Sequence, residues 1–432
     1  MTQQVEPNIF QDFQDLAKRE TLEFALRHED EDTARLLLSA GRYPHIDMPL
    51  AVQQIEGRRT AREKWPELLE CEEFLYPPRL NREQASSSFT AQHKASLASD
   101  LTRVADLTGG MGIDSLALAR VAESVDYVER DPALCRLMEH NARALGIGNL
   151  RVHCADSLQW LAAQADSYDL IYLDPARRSA SGRKVAAFEE CEPDLLTALP
   201  LLLSRCRRLM VKASPMIDID LAVRQLCSVC DVYVVSLDGE CKEVLFLCGS
   251  PQGEPQIHCS LLSSKSSKTS DISNSSNSSN SSNSSNSSKS RTSSFTRSAE
   301  AAAEPRYCSA AGQYLYEPDA ALMKAGPFRL LCQWYGLQKL APNTHLYTAD
   351  RLVEGFPGRI FHVLREVKPS RKAVAEAIPG GKAHVAVRNY PLSASDLQRQ
   401  LGLREGGDLF LIATTVGQRR TAFICETISR LP

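Results

Sequence analysis

The sequence predicts an α/β fold: an open, mostly parallel sheet with helices on both faces, closed by an antiparallel hairpin. Strand and helix patterns alternate over residues 101–250, and turn residues at hairpin spacing end this block. A helical region is predicted before the block, and small α+β modules are predicted after it. The 432 residues are 43% hydrophobic and 24% charged, as in ordinary globular proteins. Because the formal net charge is -3, any basic surface for nucleic acid must be local.

Residues 1–95 are predicted to form a helical N-terminal region. Apolar side chains such as Phe10, Phe13 and Leu16 recur at helical spacing, and the prolines after Tyr43 and Tyr76 interrupt the pattern. The first residues lack a charged segment followed by an apolar run, and no stretch of about 18 apolar residues is long enough to span a membrane. We therefore expect a cytoplasmic protein with no membrane partner.

The 13 cysteines are scattered singly, which is typical of reduced thiols in the cytosol. Cys227 and Cys230 form the one C-x-x-C, but no second pair or histidine cluster completes a zinc site. We interpret them as two buried thiols and predict no metal.

The block from 101 to 250 is predicted to contain five parallel strands. The strands are expected at 104–107, 125–128, 151–154, 170–173 and 209–211, and the helices between them at 114–122, 132–145, 158–164 and 195–203. Two further strands, 232–235 and 244–247, are separated by Asp238-Gly239-Glu240, which leaves no room for a crossover helix. A parallel sheet closed by a hairpin is the Rossmann-like topology of class I methyltransferases, whereas a dinucleotide dehydrogenase would continue with parallel strands. We place this domain at 96–250.

A glycine-rich turn follows the first strand. It runs from Asp106 through Thr108, Gly109, Gly110 and Gly112 into a helix that begins near Asp114. Glycines let the backbone turn sharply and approach a ligand closely. The spacing is not G-x-G-x-x-G, and similar turns occur in other nucleotide-binding folds.

Acidic residues also follow the next three strands: Glu129, Asp156 and Asp174. Strand ends in such a sheet meet in one crevice, where Glu129 suits ribose hydroxyls and Asp156 suits an adenine amino group. These carboxylates could instead cap the following helices. An acidic crevice favours the sulfonium and ammonium charges of S-adenosylmethionine over a pyrophosphate. The predicted cofactor-binding residues are Asp106, Thr108, Gly109, Gly110, Gly112, Asp114, Glu129, Arg130, Asp156, Ser157 and Asp174.

The methyl acceptor is predicted to meet Asp174-Pro175-Ala176-Arg177. This segment resembles the (Asp/Asn)-Pro-Pro-aromatic loop of nucleic-acid amino methyltransferases, but Ala176 and Arg177 replace the second proline and the aromatic residue. Asp174 is expected to hold the acceptor or take its proton, and Arg177 to stack on a base or contact a phosphate. Lys212, at the end of the fifth strand, is expected beside Asp174. The predicted catalytic residues are Asp174, Pro175, Arg177 and Lys212.

Basic residues near this loop are interpreted as a phosphate-binding rim, with an ordinary solvated loop as the alternative. The rim comprises Arg177, Arg178, Arg183, Lys184 and Lys212.

The C-terminal part begins after a Ser/Asn-rich repeat. Residues 263–298 have no apolar face and are predicted to be a disordered linker, whereas 305–432 have the composition of small α+β modules. Basic and aromatic residues in this part suit either stacking on unpaired bases or an ordinary core and surface. They are Lys324, Arg359, Lys368, Arg371, Lys372 and Arg388, with Phe328, Phe356 and Tyr390.

Several segments together resemble a Bacteroidetes-type family of class I methyltransferases with a THUMP-like C-terminal domain. They are DLTGGMGID (106–114), LDPARR (173–178), VKASPM (211–216), YLYEPD (314–319), NTHLYT (343–348), FPGR (356–359) and VRNYPL (387–392). The resemblance implies a ferredoxin-like module over 305–364 and a THUMP-like module over 365–432. THUMP domains bind RNA in modification enzymes, so the resemblance implies that a ribosomal or transfer RNA nucleotide is methylated. A protein or small-molecule substrate, or a non-catalytic RNA-binding role, are the alternatives.

Overall fold

The computed structural model describes residues 16–99, 101–177, 188, 191–264 and 290–429. The chain divides into two units: unit 1 is Met1–Val229 with Phe246–Ser250, and unit 2 is Cys230–Leu245 with Pro251–Pro432. Within the described ranges, no helix is both long enough and apolar enough to cross a membrane.

The described part of unit 1 begins with five α-helices, of which the first three share a core. They are α1 (Leu16–Arg27), α2 (Thr33–Leu38), α3 (Met48–Lys64), α4 (Arg79–Gln84) and α5 (Ser88–Ser96). Phe24, Leu36 and Ile55 pack together between the first three helices, so apolar spacing correctly predicted helices here. Phe10 and Phe13 lie outside the described residues.

The centre of unit 1 is a parallel sheet covered by helices. Its strands are β1 (Arg103–Asp106), β2 (Ser124–Glu129), β3 (Leu150–Cys154), β4 (Tyr168–Leu173) and, after the short antiparallel pair β5 (Ala176–Arg177) and β6 (Cys191–Glu192), β7 (Cys206–Ala213). Its helices are α6 (Ile113–Ala119), α7 (Pro132–Ala144), α8 (Ser157–Ala162), α9 (Leu195–Ser204) and α10 (Ile219–Leu226). The strand order is β7-β4-β1-β2-β3, and each neighbouring pair is parallel. The carboxyl ends of these strands therefore lie along one edge, as predicted.

The predicted hairpin is also present. Strands β8 (Val229–Leu237) and β9 (Glu240–Cys248) are joined by Asp238 and Gly239, whose φ angles are 50° and 84°. Two residues with positive φ match the right-handed twist of the strands they join, and aspartate and glycine tolerate that conformation. Within unit 1, the part of β9 from Phe246 onward lies next to β7.

In unit 2, β8 has a parallel neighbour, β10 (Gln256–Leu262), which pairs in turn with antiparallel β11 (Arg291–Phe295). Strand β11 and the start of α11 (Arg297–Ala302) fall inside 263–298, so the predicted absence of regular structure is wrong for this part of the range. The composition of this segment did not predict a strand, because the strand is stabilised by the burial of one side chain, Phe295, and by backbone hydrogen bonds to β10. The Ser/Asn repeat itself, including Ser273 to Asn277, lies outside the described residues.

The remainder of unit 2 contains a seven-stranded sheet. Its strands are β12 (Tyr314–Pro318), β13 (Gln338–Ala341), β14 (Thr344–Ala349), β15 (Gly358–Val367), β16 (His384–Arg388), β17 (Leu409–Val416) and β18 (Arg419–Ser429). The strand order is β13-β14-β12-β15-β18-β17-β16. The helices are α12 (Ala320–Ala325), α13 (Leu330–Tyr335), α14 (Arg371–Ala377) and α15 (Ala394–Leu401). Val374, Leu397 and Leu411 belong to one apolar core beneath α14 and α15. The predicted α+β character is confirmed, with both expected modules sharing a single sheet.

Candidate functional site

The glycine-rich turn connects β1 to α6 and passes directly over Tyr127 of β2. A Cβ atom on Gly109 would lie 2.3 Å from the Tyr127 ring, so only glycine fits there. Gly110 has a φ of +54°, and a Cβ atom there would lie 3.8 Å from the Thr108 carbonyl oxygen, so the left-handed backbone and not a clash favours glycine. The Tyr127 hydroxyl donates a 2.7 Å hydrogen bond to the Gly110 carbonyl. The turn is therefore held by the Tyr127 side chain beneath it.

Asp106 supports this turn from inside the protein. Its Oδ1 accepts a hydrogen bond from the Thr108 amide at 3.0 Å, and its Oδ2 accepts one from the Ser115 hydroxyl at 2.5 Å. Burial raises the pKa of Asp106 to about 7 although both hydrogen bonds oppose the shift. The side chain is buried rather than open to the crevice, which differs from the expected cofactor-facing carboxylate.

Glu129 lies at the end of β2 and contacts the turn from the side. Its Oε2 accepts a hydrogen bond from the Gly110 amide at 2.9 Å, and its Oε1 accepts from the amides of Arg130 and Asp131 at 2.8 and 3.0 Å. The Arg130 side chain is exposed and pairs with Glu192 at 2.5 Å. The turn and the end of β2 are thus joined through one half-buried carboxylate.

Asp156 and Ser157 lie one strand further along the sheet edge, after β3. Asp156 is the N-cap of α8, and its Oδ1 accepts a 3.0 Å hydrogen bond from the Gln159 amide. Helix capping, the alternative considered from the sequence, therefore describes this residue. The side chain is exposed, and its Oδ2 has no hydrogen-bond partner among the described residues.

Asp174 and Lys212 form an ion pair at the ends of β4 and β7. Lys212 Nζ lies 2.5 Å from Asp174 Oδ2, which confirms the predicted neighbourhood. It arises because β4 and β7 are paired in register, with Leu173 opposite Val211. The Asp174 amide also donates a 2.7 Å hydrogen bond to the Thr108 hydroxyl, which ties the pair to the glycine-rich turn.

Other residues of the predicted acceptor loop are only partly described. Pro175 is buried, and the backbone of Arg177 belongs to β5. The side chain of Arg177, and Arg178, Arg183 and Lys184 of the predicted basic rim, lie outside the described residues. The rim stays a prediction.

A buried lysine that the sequence analysis did not single out supplies a positive charge beside Asp114. Lys94 of α5 is fully buried, and its Nζ lies 3.2 Å from Asp114 Oδ1. The hydroxyls of Ser86 and Tyr172 each donate a 2.8 Å hydrogen bond to Asp114 Oδ2. Burial alone would raise the pKa of Asp114, but the charges of Lys94 and Lys212 and these hydrogen bonds lower it.

The contacts of Asp114 are thus with the protein, whereas the sequence placed it among cofactor-binding residues. A signal for Lys94 was present, because it occupies the buried face of α5 together with Ala91 and Ala95. A lysine on the apolar face of a helix needs a partner. The predicted domain start at residue 96 separates α5 from the site to which it contributes.

Two further expectations are corrected. All 13 cysteines are free thiols. Cys227, however, is exposed at the end of α10 in a left-handed conformation, so Cys227 and Cys230 are not two buried thiols. Phe356 is buried against Tyr316, so it offers no face to a base, and Phe328 stacks on His345 with ring centroids 3.6 Å apart. Within the part of the chain that the structure describes, no three His, Cys, Asp or Glu side chains are placed to hold a metal ion.

Family models match three parts of the chain. Residues 81–186 match a family described as "Putative SAM-dependent methyltransferase", residues 314–357 a ferredoxin-like domain, and residues 358–427 a THUMP domain-like family. The first match starts before α5 and therefore includes Lys94 as well as the glycine-rich turn.

Two known proteins are similar to this chain over most of its length. An uncharacterized S-adenosylmethionine-dependent methyltransferase of Mycobacterium tuberculosis is 26% identical over 354 residues, which cover 80% of this chain and 87% of the relative. The crystal structure of a "putative methyltransferase" of Porphyromonas gingivalis superposes with a TM-score of 0.78 at 28% identity, covering 95% of this chain and 98% of that one.

A shorter similarity involves a 23S rRNA (uracil(1939)-C(5))-methyltransferase of Aeromonas salmonicida. It is 40% identical over 99 residues, which are 22% of this chain and 23% of the relative. The sheet topology, the glycine-rich turn and the matches along the chain agree: the chain is a class I S-adenosylmethionine-dependent methyltransferase with ferredoxin-like and THUMP-like C-terminal domains.

Proposed function

We propose that the enzyme binds S-adenosylmethionine at the carboxyl ends of β1 to β4 and methylates an RNA nucleotide beside Asp174. The observation that carries this proposal is the junction at Thr108. The residue lies in the glycine-rich turn, and its hydroxyl accepts a hydrogen bond from the Asp174 amide. A cofactor lying on the turn would thus have its reactive end near the Asp174–Lys212 pair.

The residues present fit this cofactor. Gly109 and Gly110 carry no side chain over the turn, and Glu129 beside Gly110 offers carboxylate oxygens of the kind that bind ribose hydroxyls. Asp156 and Ser157 follow at the end of β3, where Asp156 keeps one oxygen for an adenine amino group. Thr108, Gly109 and Gly112 shape the turn, while Asp106 and Asp114 support it from inside. Bound S-adenosylmethionine supplies the methyl group, on a sulfonium sulfur.

Asp174 is proposed to hold the methyl acceptor. Lys212 engages Oδ2 and fixes the orientation of the carboxylate, while Oδ1 has no hydrogen-bond partner among the described residues. Asp174 Oδ1 would accept the proton that the acceptor loses when it takes up the methyl group of the bound cofactor. Because methyl transfer is an in-line displacement, this positioning supplies most of the catalysis. Pro175 and Arg177 follow directly, and Arg177 is proposed to contact the nucleotide.

Two observations support RNA as the substrate. The THUMP-like match covers residues 358–427, and 99 residues of the chain are 40% identical to a 23S ribosomal RNA methyltransferase. A ribosomal or transfer RNA nucleotide is therefore the proposed acceptor.

Calorimetry with S-adenosylhomocysteine and RNA methylation assays test these roles separately. Asp174→Asn should bind S-adenosylhomocysteine within about twofold of wild type and lose at least 100-fold in transfer rate, since one positioned acid–base group contributes roughly 10²–10⁴-fold. Asp166→Asn is the matched control, because Asp166 is exposed in unit 1 and, among the described residues, pairs only with Arg103. Absence of S-adenosylhomocysteine binding by the folded protein would refute the cofactor site. Unchanged transfer by Asp174→Asn would refute the role of Asp174.

The substrate class requires its own experiment. Mass spectrometry of ribosomal and transfer RNA from a strain lacking the gene should show one methylated nucleoside lost, and the wild-type gene should restore it. A complete set of methylated nucleosides in that strain would contradict the RNA proposal while leaving the cofactor site intact.

A further inference from the structure

Glu317 in unit 2 is a buried carboxylate shared by two arginines. Its side chain is 8% exposed, and its oxygens Oε2 and Oε1 pair with Arg359 and Arg388, respectively. Arg359 lies directly opposite Glu317 on the neighbouring strand β15, and Arg388 is the last residue of β16. Three distant parts of the sequence thus meet at one carboxylate.

Both guanidinium groups are held in position by their surroundings. Arg359 lies over the ring of buried Phe361, 5.6 Å from its centroid. The residue after Arg388, Asn389, donates a hydrogen bond to the Thr344 hydroxyl at 2.9 Å and accepts one from the Thr415 hydroxyl at 2.7 Å. These contacts fix the end of β16 and therefore the starting point of the Arg388 side chain.

The cluster has more positive charge and more donors than Glu317 satisfies. Two guanidinium groups against one carboxylate leave one net positive charge, and each guanidinium has five N–H donors. Arg359 and Arg388 remain 40% and 35% exposed. Among the described residues, Arg359 donates only to Glu317, and Arg388 donates only to Glu317 and to the Val387 carbonyl. The remaining donors have no acceptor in the part of the chain that the structure describes.

We propose that Arg359 and Arg388 form a fork that binds a phosphate of the RNA backbone, with Glu317 as the positioning residue beneath it. Planar guanidinium groups bind phosphate oxygens through paired hydrogen bonds, and two groups fixed side by side contact one phosphate or two adjacent ones. A backbone contact places RNA without reading its sequence. This inference rests on RNA being the substrate and adds a binding site outside the catalytic domain.

Retention of total ribosomal RNA by the full chain, measured between 50 and 200 mM KCl, tests the fork. Arg359→Gln and Arg388→Gln should each weaken binding roughly tenfold at 100 mM KCl. Each should also reduce the slope of log K against log salt by about 0.7, the contribution of one lost contact to single-stranded RNA. Each variant keeps a one-to-one pair with Glu317, so the fold should be retained, which thermal unfolding checks.

Arg419→Gln is the matched control, because Arg419 is an exposed unit 2 arginine that also pairs with a glutamate, Glu366. Its affinity and salt slope should match wild type. An equal loss in this control would show that general surface charge, and not the fork, binds RNA.

Glu317→Gln separates a positioned fork from simple charge. The substitution adds one positive charge to the protein, so a purely electrostatic surface would bind RNA more tightly. A fork that depends on Glu317 should bind more weakly, and tighter binding by folded Glu317→Gln would overturn the proposal.

Failure of the fork is distinguishable from failure of the proposed function. A wild-type protein that retains no RNA would refute the RNA substrate. If wild type retains RNA, and both arginine variants retain it equally tightly and with the same salt slope, only the fork is refuted. All these variants should bind S-adenosylhomocysteine like wild type.

Discussion

Lys94 and Asp114 form a buried ion pair beneath the glycine-rich turn. Lys94 is 1% and Asp114 12% exposed, so neither charge is solvated well by water. A buried pair of this kind adds little net stability over an apolar pair, but removing one partner leaves the other charge uncompensated. The pair therefore matters most for where α6 begins and how the turn above it is held.

Lys94→Met should lower the free energy of unfolding by about 3–5 kcal/mol, because Asp114 loses its counter-charge. The double variant Lys94→Met/Asp114→Asn should recover most of that loss, since it buries no unpaired charge. Urea unfolding monitored by fluorescence measures both, and S-adenosylhomocysteine calorimetry reports on the turn. If the free energy of unfolding of Lys94→Met lies within about 1 kcal/mol of wild type, the pair does not contribute the stability expected here.

Asp106 gives the site a specific pH dependence. Its pKa is raised from 3.8 to about 7 in the folded protein, so the folded state binds a proton more tightly than the unfolded state. The associated stability is fully present below pH 4 and is lost as pH rises toward 7. This difference in pKa corresponds to a change in the free energy of unfolding on the order of 4 kcal/mol.

Comparison with Asp106→Asn isolates this effect, because asparagine does not titrate. The difference in unfolding free energy between wild type and Asp106→Asn should become less favourable to wild type between pH 4 and 7, and should level off above pH 7. Urea unfolding at several pH values measures it. A difference that stays constant across this range would contradict the assigned titration.

At the level of secondary-structure elements, the local sequence pattern predicted most strands of the sheet in unit 1. The elements that it did not predict depend on contacts with distant parts of the chain. The strands around Asp106, Glu129 and Asp174 were visible as apolar runs followed by acidic residues, and the hairpin at Asp238-Gly239 as turn chemistry. Strand β11 was not visible, because a Ser/Thr-rich segment becomes a strand only when β10 lies beside it. Lys94 was missed because its partner, Asp114, lies on another helix and only the fold brings them together.

Helix α8 allows the two roles of Asp156 to be separated. Serine is as good an N-cap as aspartate, so Asp156→Ser should keep the free energy of unfolding within about 0.5 kcal/mol of wild type. Loss of the carboxylate should nevertheless weaken S-adenosylhomocysteine binding roughly tenfold if Asp156 contacts the adenine amino group. Asp156→Ala should lose the cap as well, at a cost of about 1 kcal/mol. Unchanged binding by Asp156→Ser would leave capping as the role of this residue.

At the scale of the whole molecule, the two units are not consecutive pieces of chain. Residues 230–245 belong to unit 2, and Phe246–Ser250 return to unit 1. The predicted domain end at 250 therefore cuts after β9 and removes β10, which pairs with β8 over seven residues from Gln256 to Leu262. Sequence pattern located the hairpin but gave no sign that a further strand follows it.

A fragment of residues 1–250 should consequently expose the backbone groups of β8 as an unpaired edge. Such edges promote association between chains. The fragment should elute as oligomers or aggregates in gel filtration and unfold at a markedly lower temperature than a fragment of residues 1–300, which retains β10. A monomeric 1–250 fragment that melts within a few degrees of the longer one would contradict this expectation.

The burial of Lys94 has a consequence for where this enzyme begins. Ser86 and Lys94 reach Asp114 from the segment before the first strand, so the cofactor loop acquires its shape only once that segment has docked. A fragment that starts at Arg103, or a design that grafts only the sheet onto another protein, would leave the Asp114 carboxylate beneath the loop without Lys94. A fragment that keeps the contacts of Asp114 must therefore include Ser86 and α5, which precede the first strand of the sheet.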